Sequence, residues 1–437
     1  MNIVMKELEL YYGRIFTENQ IPTELKEYAQ VLPAMEENNG KLICNRCGSL
    51  VPRENILPSG QYYCRECIIF GRNTSLAQLY YFPQIPFEKA QSLSWSGQLT
   101  SYQAQVSEGL LQGIDMKENL LVHAVTGAGK TEMIYESVAK ILDKGGCVCL
   151  ASPRIDVCLE LYKRLSKDFS CPIALLHGDS DPYFRARLII ATTHQLLKFY
   201  QAFDLLIIDE VDAFPFVDNA ALYHAVESSV KKDGVRIFLT ATSTDELDKK
   251  VKRGDLRKLD LVRRFHANPL VVPKEMWLGS VQKNLQKQKI PSKLRYLIAK
   301  QRETGFPLLI FFPNIEQGQV FTQILLRYFP EEKIDFVSSQ TENRLEIVDK
   351  FRNREISILV STTILERGVT FPCVDVFVVL ANHRLYTKSA LVQISGRVGR
   401  AFERPTGELL FLHDGKTKAM KRAIQEIKTM NQRGGFA

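Results

Sequence analysis

The sequence predicts an α/β protein in which two tandem parallel-sheet lobes follow a small cysteine-bearing module. Three observations carry that prediction. From about Gln98 onward, short apolar runs alternate with longer amphipathic stretches, as buried parallel strands alternate with crossover helices. The alternation is interrupted once by a Lys- and Arg-rich stretch, 245–302, that holds Pro269, Pro273 and Pro291, and then resumes. Two Cys-x-x-Cys pairs precede the first alternating block.

Each block can be placed in order. A chain of 437 residues accommodates about two or three domains at roughly 100–200 residues each. Residues 1–40 form a lead-in without a clear pattern, 41–70 the cysteine module and 71–97 a connector that is polar from Ser92 to Gly97. Residues 98–262 form the first lobe, 263–290 the inter-lobe linker and 291–437 the second lobe. The first lobe's strands are expected at Leu120–Val125, Val148–Ala151, Leu188–Ala191, Leu205–Ile208 and Ile237–Leu239, with helices over Thr131–Asp143 and Asp156–Asp168. The second lobe's strands are expected at Leu308–Phe312, Ile334–Val337, Ile358–Val360, Val376–Leu380 and Leu409–Leu412, and a last helix at Lys416–Met430. Leu79-Tyr-Tyr-Phe82 reads as core in preference to a stacking platform for bases.

The formal net charge of +8, with pI ≈ 8.9, is compatible with a polyanionic partner without demanding one. Met1 to Leu10 carries acidic residues among its apolar ones, unlike a signal peptide. No run of about 18 uncharged apolar residues suggests a membrane span. A cytoplasmic protein is therefore expected, with peripheral docking at a membrane left open.

Ala124-Val-Thr-Gly-Ala-Gly-Lys-Thr131 lies between a strand pattern and a helix pattern, the context of a phosphate-binding loop. Gly127 and Gly129 permit a tight turn that aims N–H groups at phosphate oxygens, at the positive end of a helix. Lys130 would reach the β- and γ-phosphates of ATP, and Thr131 would hold Mg²⁺. Ala124 stands where the common pattern has Gly, at a position remote from the phosphates. Leu205-Leu-Ile-Ile-Asp209-Glu210 is an apolar strand ending in two carboxylates. Asp209 would bind Mg²⁺ and Glu210 would polarise the attacking water. Read alone, either motif could be an ordinary turn or a solvated acidic loop; together they indicate nucleotide hydrolysis.

From about Leu99 to Arg400 the chain resembles the superfamily 2 helicases, motif by motif and in order. Leu99-Thr-x-x-Gln103 is similar to the adenine-contacting segment, Ala151-Ser-Pro-Arg154 to motif Ia, and Thr192-Thr-His-Gln-Leu-Leu197 to the strand-contacting segment of the first lobe. Asp209-Glu-Val-Asp212 is similar to the DEAD/DEAH motif, with Asp212 departing from the His of DEAH proteins, and Thr240-Ala-Thr242 to motif III. Phe312-Pro-Asn314, Thr362-x-x-x-Glu366-Arg-Gly-Val369 and Gln393-x-x-Gly-Arg397-x-Gly-Arg400 resemble motifs IV, V and VI. The resemblance implies RecA-like lobes with ATP between them. It assigns nucleotide contacts to Gln103, Thr126, Gly127, Ala128, Gly129, Lys130, Thr131 and Gly368. Arg397 and Arg400 would act as arginine fingers, and Arg154, Thr192, Thr193 and Thr362 would contact the strand.

Cys44-x-x-Cys47 and Cys64-x-x-Cys67 have the spacing of a zinc ribbon, in which each pair grips one face of a tetrahedral S₄ site. Redox disulfides are the rival reading. Asn45-Arg46, Gly48 and Arg65 lie in or beside the turns and would offset thiolate charge. Cys147, Cys149, Cys158, Cys171 and Cys373 sit in or near apolar stretches, as core thiols do. With this module ahead of a compact helicase core, the whole chain resembles the ComFA family of late competence proteins from transformable Gram-positive bacteria. That resemblance implies an ATPase stimulated by single-stranded DNA that draws one strand through the membrane channel ComEC. It also implies partnership with ComFC, a position at the inner face of the cell membrane, and Zn²⁺ beside ATP and Mg²⁺. Self-association stays open.

Three other functions compete. A primosome-like or repair helicase would separate duplexes, and an RNA helicase would respond to RNA. An adaptor would use the ribbon to dock a partner on a degenerate motor, against which stand Lys130, Asp209, Glu210 and Arg400.

Overall fold

The computed structural model describes residues 3–436. The chain forms two compact units, residues 1–123 with 130–260, and residues 261–437 with the loop 124–129. Two tandem RecA-like parallel-sheet lobes follow an N-terminal four-cysteine module.

In the first unit, residues that carried no pattern in the sequence build a small sheet. Strands β1 (Ile15–Thr17) and β2 (Gln30–Pro33) both pair antiparallel with β5 (Gln78–Tyr81), in the order β1-β5-β2. Between them, β3 (Met35–Asn38) and β4 (Lys41–Cys44) form a hairpin that leads into the first cysteine pair. Leu79, Tyr80 and Phe82 are buried, as expected of core residues.

The large sheet of this unit has the order β12-β6-β11-β10-β7-β9-β8. Its strands are β6 (Leu120–Ala124), β7 (Val148–Ser152), β8 (Ile173–Leu176), β9 (Leu188–Thr192), β10 (Phe203–Asp209), β11 (Val230–Thr240) and β12 (Arg257–Leu261). From β6 through β8 in that order, neighbours run parallel. Every residue of β6, β7 and β9 is buried, because helices and the cysteine module pack on the sheet and leave no polar side to alternate with. Strand β10 lies near the centre, between β11 and β7, so Asp209 comes out at the middle of the sheet's carboxyl edge. That edge is where open α/β sheets bind ligands.

The second unit has a six-stranded sheet in the order β13-β18-β17-β14-β16-β15, parallel throughout. The strands are β13 (Lys274–Trp277), β14 (Leu308–Phe311), β15 (Ile334–Val337), β16 (Ile358–Ser361), β17 (Asp375–Val379) and β18 (Leu409–His413). Side chains divide by the two-residue period of a strand. Leu308 and Ile310 join one apolar cluster with Val360 and Phe377, while Leu309 and Phe311 join the opposite one with Leu359 and Val376. Strand β17 begins on a fully buried carboxylate, Asp375, which the sequence hid beside an apolar run. Arg404 Nη2 lies 2.8 Å from it, Gln301 Nε2 donates at 2.8 Å and the Glu408 N–H at 2.6 Å, so the buried charge is paired and hydrogen-bonded.

Among the described residues, no helix is long and apolar enough to cross a membrane.

Candidate ATPase centre and four-cysteine cluster

The turn after β6 explains its own glycines. Gly127 and Gly129 take φ values of +78° and +71°, a left-handed backbone that side chains resist. Lys130 and Thr131 then lead into a short 3₁₀ turn, Glu132–Ile134, and the helix Tyr135–Asp143.

Lys130 Nζ donates to Asp209 Oδ1 at 2.6 Å, joining the phosphate loop's lysine to the end of β10. Burial pulls the ammonium's pKa down, but Asp209, Glu210 and Asp212 outweigh it and hold the group above its usual value. Lys130 is therefore a cation held at a cluster of carboxylates. The Glu210 N–H donates to the same Asp209 oxygen at 2.9 Å. Glu210 itself has φ +59°, a strained conformation for a side-chain-bearing residue and one found at functional sites. Thr131 Oγ1 accepts from Arg164 Nη1 at 3.0 Å, and Arg164 Nη2 pairs with Glu132 at 2.7 Å. Thr131 and Asp209 offer the hydroxyl and carboxylate oxygens that a hard divalent cation prefers.

Asp212 answers the departure seen in the sequence. It is 7% exposed and accepts from the Thr240 hydroxyl at 2.8 Å and from the Thr242 hydroxyl. Thr240 closes β11, so this carboxylate ties the turn after β10 to the turn after the neighbouring strand. The sequence signal for it was the pair of threonines in Thr240-Ala-Thr242.

Gln103 is the third residue of the helix Ser101–Asp115, where it closes a capping box with Thr100. Its Oε1 accepts from the Thr100 N–H and hydroxyl, both at 3.0 Å. Arg154 is the residue before the helix Ile155–Asp168. Thr192 ends β9 and Thr193 begins a 3₁₀ turn running to Lys198; both side chains are buried.

In the second unit, Thr362 follows β16 and Gly368 has φ +78°. Arg397 and Arg400 follow the helix Lys388–Ser395. Arg397 is buried, and Arg400 Nε donates to the Gly396 carbonyl at 2.7 Å. Arg264, which the sequence did not single out, is buried and donates through Nη1 to the carbonyls of Val398 and Gly399. Burial and the nearby Arg400 push its pKa down to about 9. It fixes the turn that carries both arginines.

The four sulfurs of Cys44, Cys47, Cys64 and Cys67 lie within 4.8 Å of one another and are buried. Cys44 and Cys67 are 3.7 Å apart, and Cys47 and Cys64 3.5 Å, so neither pair is a disulfide. A tetrahedron with metal–sulfur bonds of about 2.3 Å has edges of about 3.8 Å, so the cluster fits an S₄ metal site. Asn73 Nδ2 donates to Cys44 Sγ at 3.1 Å. Buried Arg46 donates to the Phe70 carbonyl at 2.7 Å and sets its charge beside the sulfurs. Gly48 is needed twice over. Its φ is +69°, and a Cβ there would meet the His224 ring at 2.6 Å. The module packs that closely on the helix Ala220–Ser229, and His224 Nε2 lies 3.3 Å from the Asn45 carbonyl. Cys147, Cys149, Cys158 and Cys373 are buried core thiols, and Cys171 is half-buried. Burial pushes the Cys147 and Cys158 thiols up to about 12.

Comparison with known proteins agrees with this layout. Residues 4–81 match the family model for the competence protein ComFA N-terminal domain, 100–249 that for the DEAD/DEAH box helicase, and 289–402 that for the helicase conserved C-terminal domain. The chain is 63% identical to competence protein ComFA of Streptococcus pneumoniae (strain ATCC BAA-255 / R6) over 98% of its own length and 99% of that protein's. It is 36% identical to competence protein ComFA of Bacillus subtilis (strain 168), over 95% and 92%. A structure of the Mycobacterium smegmatis helicase Lhr bound to ssDNA and AMP-PNP has the same fold. The TM-score is 0.57 at 17% identity, over 78% of this chain and 51% of that one.

Lys130→Ala is expected to lower ATP turnover at least about 100-fold, the scale of removing one positioned charge donor from a transition state. A steady-state phosphate-release assay checks this; turnover within a few-fold of the unsubstituted protein would show that Lys130 does not touch the phosphates.

Proposed function

The chain belongs to the ComFA family and is an ATP-hydrolysing enzyme of the helicase type, and on that premise we propose that it is a single-stranded DNA translocase powering the uptake of transforming DNA. The observation that carries the reading is the Lys130–Asp209 pair, an intact phosphate and metal end, in a chain whose residues 4–81 match the ComFA N-terminal domain.

In this reading Gly127, Gly129 and the neighbouring N–H groups of Thr126 and Ala128 cradle the phosphates, and Gln103 reads the adenine. Lys130 leaves Asp209 for the γ-phosphate. Thr131 and Asp209 hold Mg²⁺, which neutralises phosphate charge when bound. Glu210 orients the attacking water, and Arg397 and Arg400 stabilise the charge on the transferring phosphoryl group, with Gly368 beside the nucleotide. Arg154, Thr192, Thr193 and Thr362 hold the strand. The burial of both Thr192 and Thr193 favours main-chain contacts there, which are indifferent to sequence. Asp212, through Thr240 and Thr242, conveys the state of the nucleotide to the strand site.

The four cysteines hold Zn²⁺ in a closed, structural site. The enzyme works at the inner face of the cytoplasmic membrane, beside ComFC and the channel ComEC. A primosome-like helicase is the alternative.

Turnover should rise strongly with single-stranded DNA and little with duplex DNA or RNA, in steady-state assays of the four conditions including none. Stimulation mainly by duplex, together with separation of a forked duplex, would transfer the chain to the helicase alternative; stimulation mainly by RNA would refute the DNA reading.

Metal analysis should find one zinc per chain. Removal by a strong chelator should expose the Cys44, Cys47, Cys64 and Cys67 thiols to a thiol reagent while the lobes keep their far-ultraviolet circular dichroism. Zinc-free protein with the same thiol reactivity would contradict a structural site.

A further inference from the structure

A polar pocket opens at the carboxyl edge of the first lobe's sheet, away from the ATPase residues. It has a volume of about 220 Å³ and lies where β8 and β9 end, lined by His177, Tyr183, Gln195 and Lys198, and by Arg14 from the N-terminal sheet. The placement of Arg14 is built into the backbone. Arg14 and Phe199 form an antiparallel bridge, the Tyr200 N–H donates to the Gly13 carbonyl at 3.1 Å, and the Gly13 N–H donates to Phe82 at 2.7 Å. Arg14 therefore sits beside Lys198, at the end of the 3₁₀ turn that starts at Thr193.

Two half-buried cations share this pocket, and among the described residues neither has an ion-pair partner. Arg14 stacks on Tyr183 at 4.6 Å and on Phe16 at 4.8 Å, and donates through Nη1 to the Leu10 carbonyl at 2.9 Å. Its Nε and the Tyr183 hydroxyl are buried without hydrogen-bond partners. The one carboxylate in the lining, Asp181, is exposed and pairs with neither cation. Burial lowers the pKa of both Arg14 and Lys198, and Arg14 lowers that of Lys198 further. Buried donors are normally satisfied, and like charges are not normally placed together out of water without a counter-charge. What this pocket lacks is an oxyanion.

We propose that the pocket binds a backbone phosphate of the nucleic-acid strand, so that the strand's track runs from the Thr192–Thr193 edge onto the N-terminal module. The inference rests on the strand-binding reading above and adds a contact that the helicase motifs do not contain. Phosphate is the fitting class because the lining offers a planar guanidinium, an ammonium and a phenolic hydroxyl, all donors to oxygen. The arrangement also gives the N-terminal module a task on the DNA path, since Arg14 is its contribution to the site.

Binding of a fluorescent oligodeoxythymidylate to the full chain, followed by anisotropy across a salt series, tests this. Each phosphate neutralised on a single strand contributes about −0.7 to the slope of log K against log salt. Lys198→Ala should make the slope shallower by about that amount, Lys198→Arg should restore it, and Arg14→Gln should act as Lys198→Ala does. The slope does not depend on the fraction of active protein, so partial misfolding cannot imitate the result. A steep slope shared by the unsubstituted protein and all variants would overturn the pocket alone. No salt-dependent binding by the unsubstituted protein would overturn the strand-binding reading with it. Inorganic phosphate at constant ionic strength separates the two sources: a rise in melting temperature that is lost in Lys198→Ala, with a salt slope for the oligonucleotide that the same substitution leaves unchanged, would assign the pocket to a free anion and refute the strand contact.

Discussion

Two carboxylates three residues apart govern the first lobe. Asp209 takes the phosphate-loop lysine at 2.6 Å, and Asp212 takes the hydroxyls of Thr240 and Thr242. Between them they bind the turns after β6, β10 and β11, neighbouring parts of one carboxyl edge. The cost of holding these charges partly out of water is offset only while each keeps its partner. In the function proposed above phosphate takes Asp209's place on Lys130, and Asp212, two residues beyond Glu210, is the carboxylate that would feel a movement of that strand end. The strained backbone at Glu210, φ +59°, lies inside this link.

The N-terminal module is a part of the first lobe's architecture. One apolar cluster contains Cys44, Cys47, Cys64 and Cys67 along with Cys149, Phe203, Phe216 and Ala225, so sheet and cysteine turns exclude water together. Arg185 fastens the other end. It pairs with Glu9 at 2.9 Å, donates to the Ile85 carbonyl at 2.6 Å and stacks on Phe87 at 4.0 Å. A module held at both ends can present side chains such as Arg14 to the lobe in fixed geometry. The frame for that is buried β1 paired with half-buried β5, with β2 as the exposed edge.

How much of this was legible follows from the physics of each signal. Buried parallel strands announce themselves as apolar runs, so β6, β7, β9, β10 and the second lobe's β14, β15, β16, β17 and β18 were readable to within a few residues. Strand β12, Arg-Lys-Leu-Asp-Leu, and strand β13, Lys-Glu-Met-Trp, were not, because edge strands face solvent and carry charge there. The phosphate loop and the cysteine spacing were legible because metal and phosphate geometry fix residue types at fixed offsets. Arg14, Arg264 and Lys198 were not, since an arginine or lysine drawn in by tertiary packing has no local pattern. Asp212 looked like a departure from a motif, and only its two threonine partners explain it.

If Asp212 conveys the nucleotide state to the strand site, the affinity for single-stranded DNA must depend on the bound nucleotide, and the Thr240 hydroxyl must be needed for that dependence. The measurement is DNA affinity in saturating non-hydrolysable ATP analogue and in ADP, for the unsubstituted protein and for Thr240→Val, which removes the hydroxyl at nearly constant shape. A ratio of about 5–150-fold, the usual range for coupled sites, is expected in the unsubstituted protein, falling towards one in the variant. An equal ratio in both proteins, with both still binding nucleotide, would contradict the link.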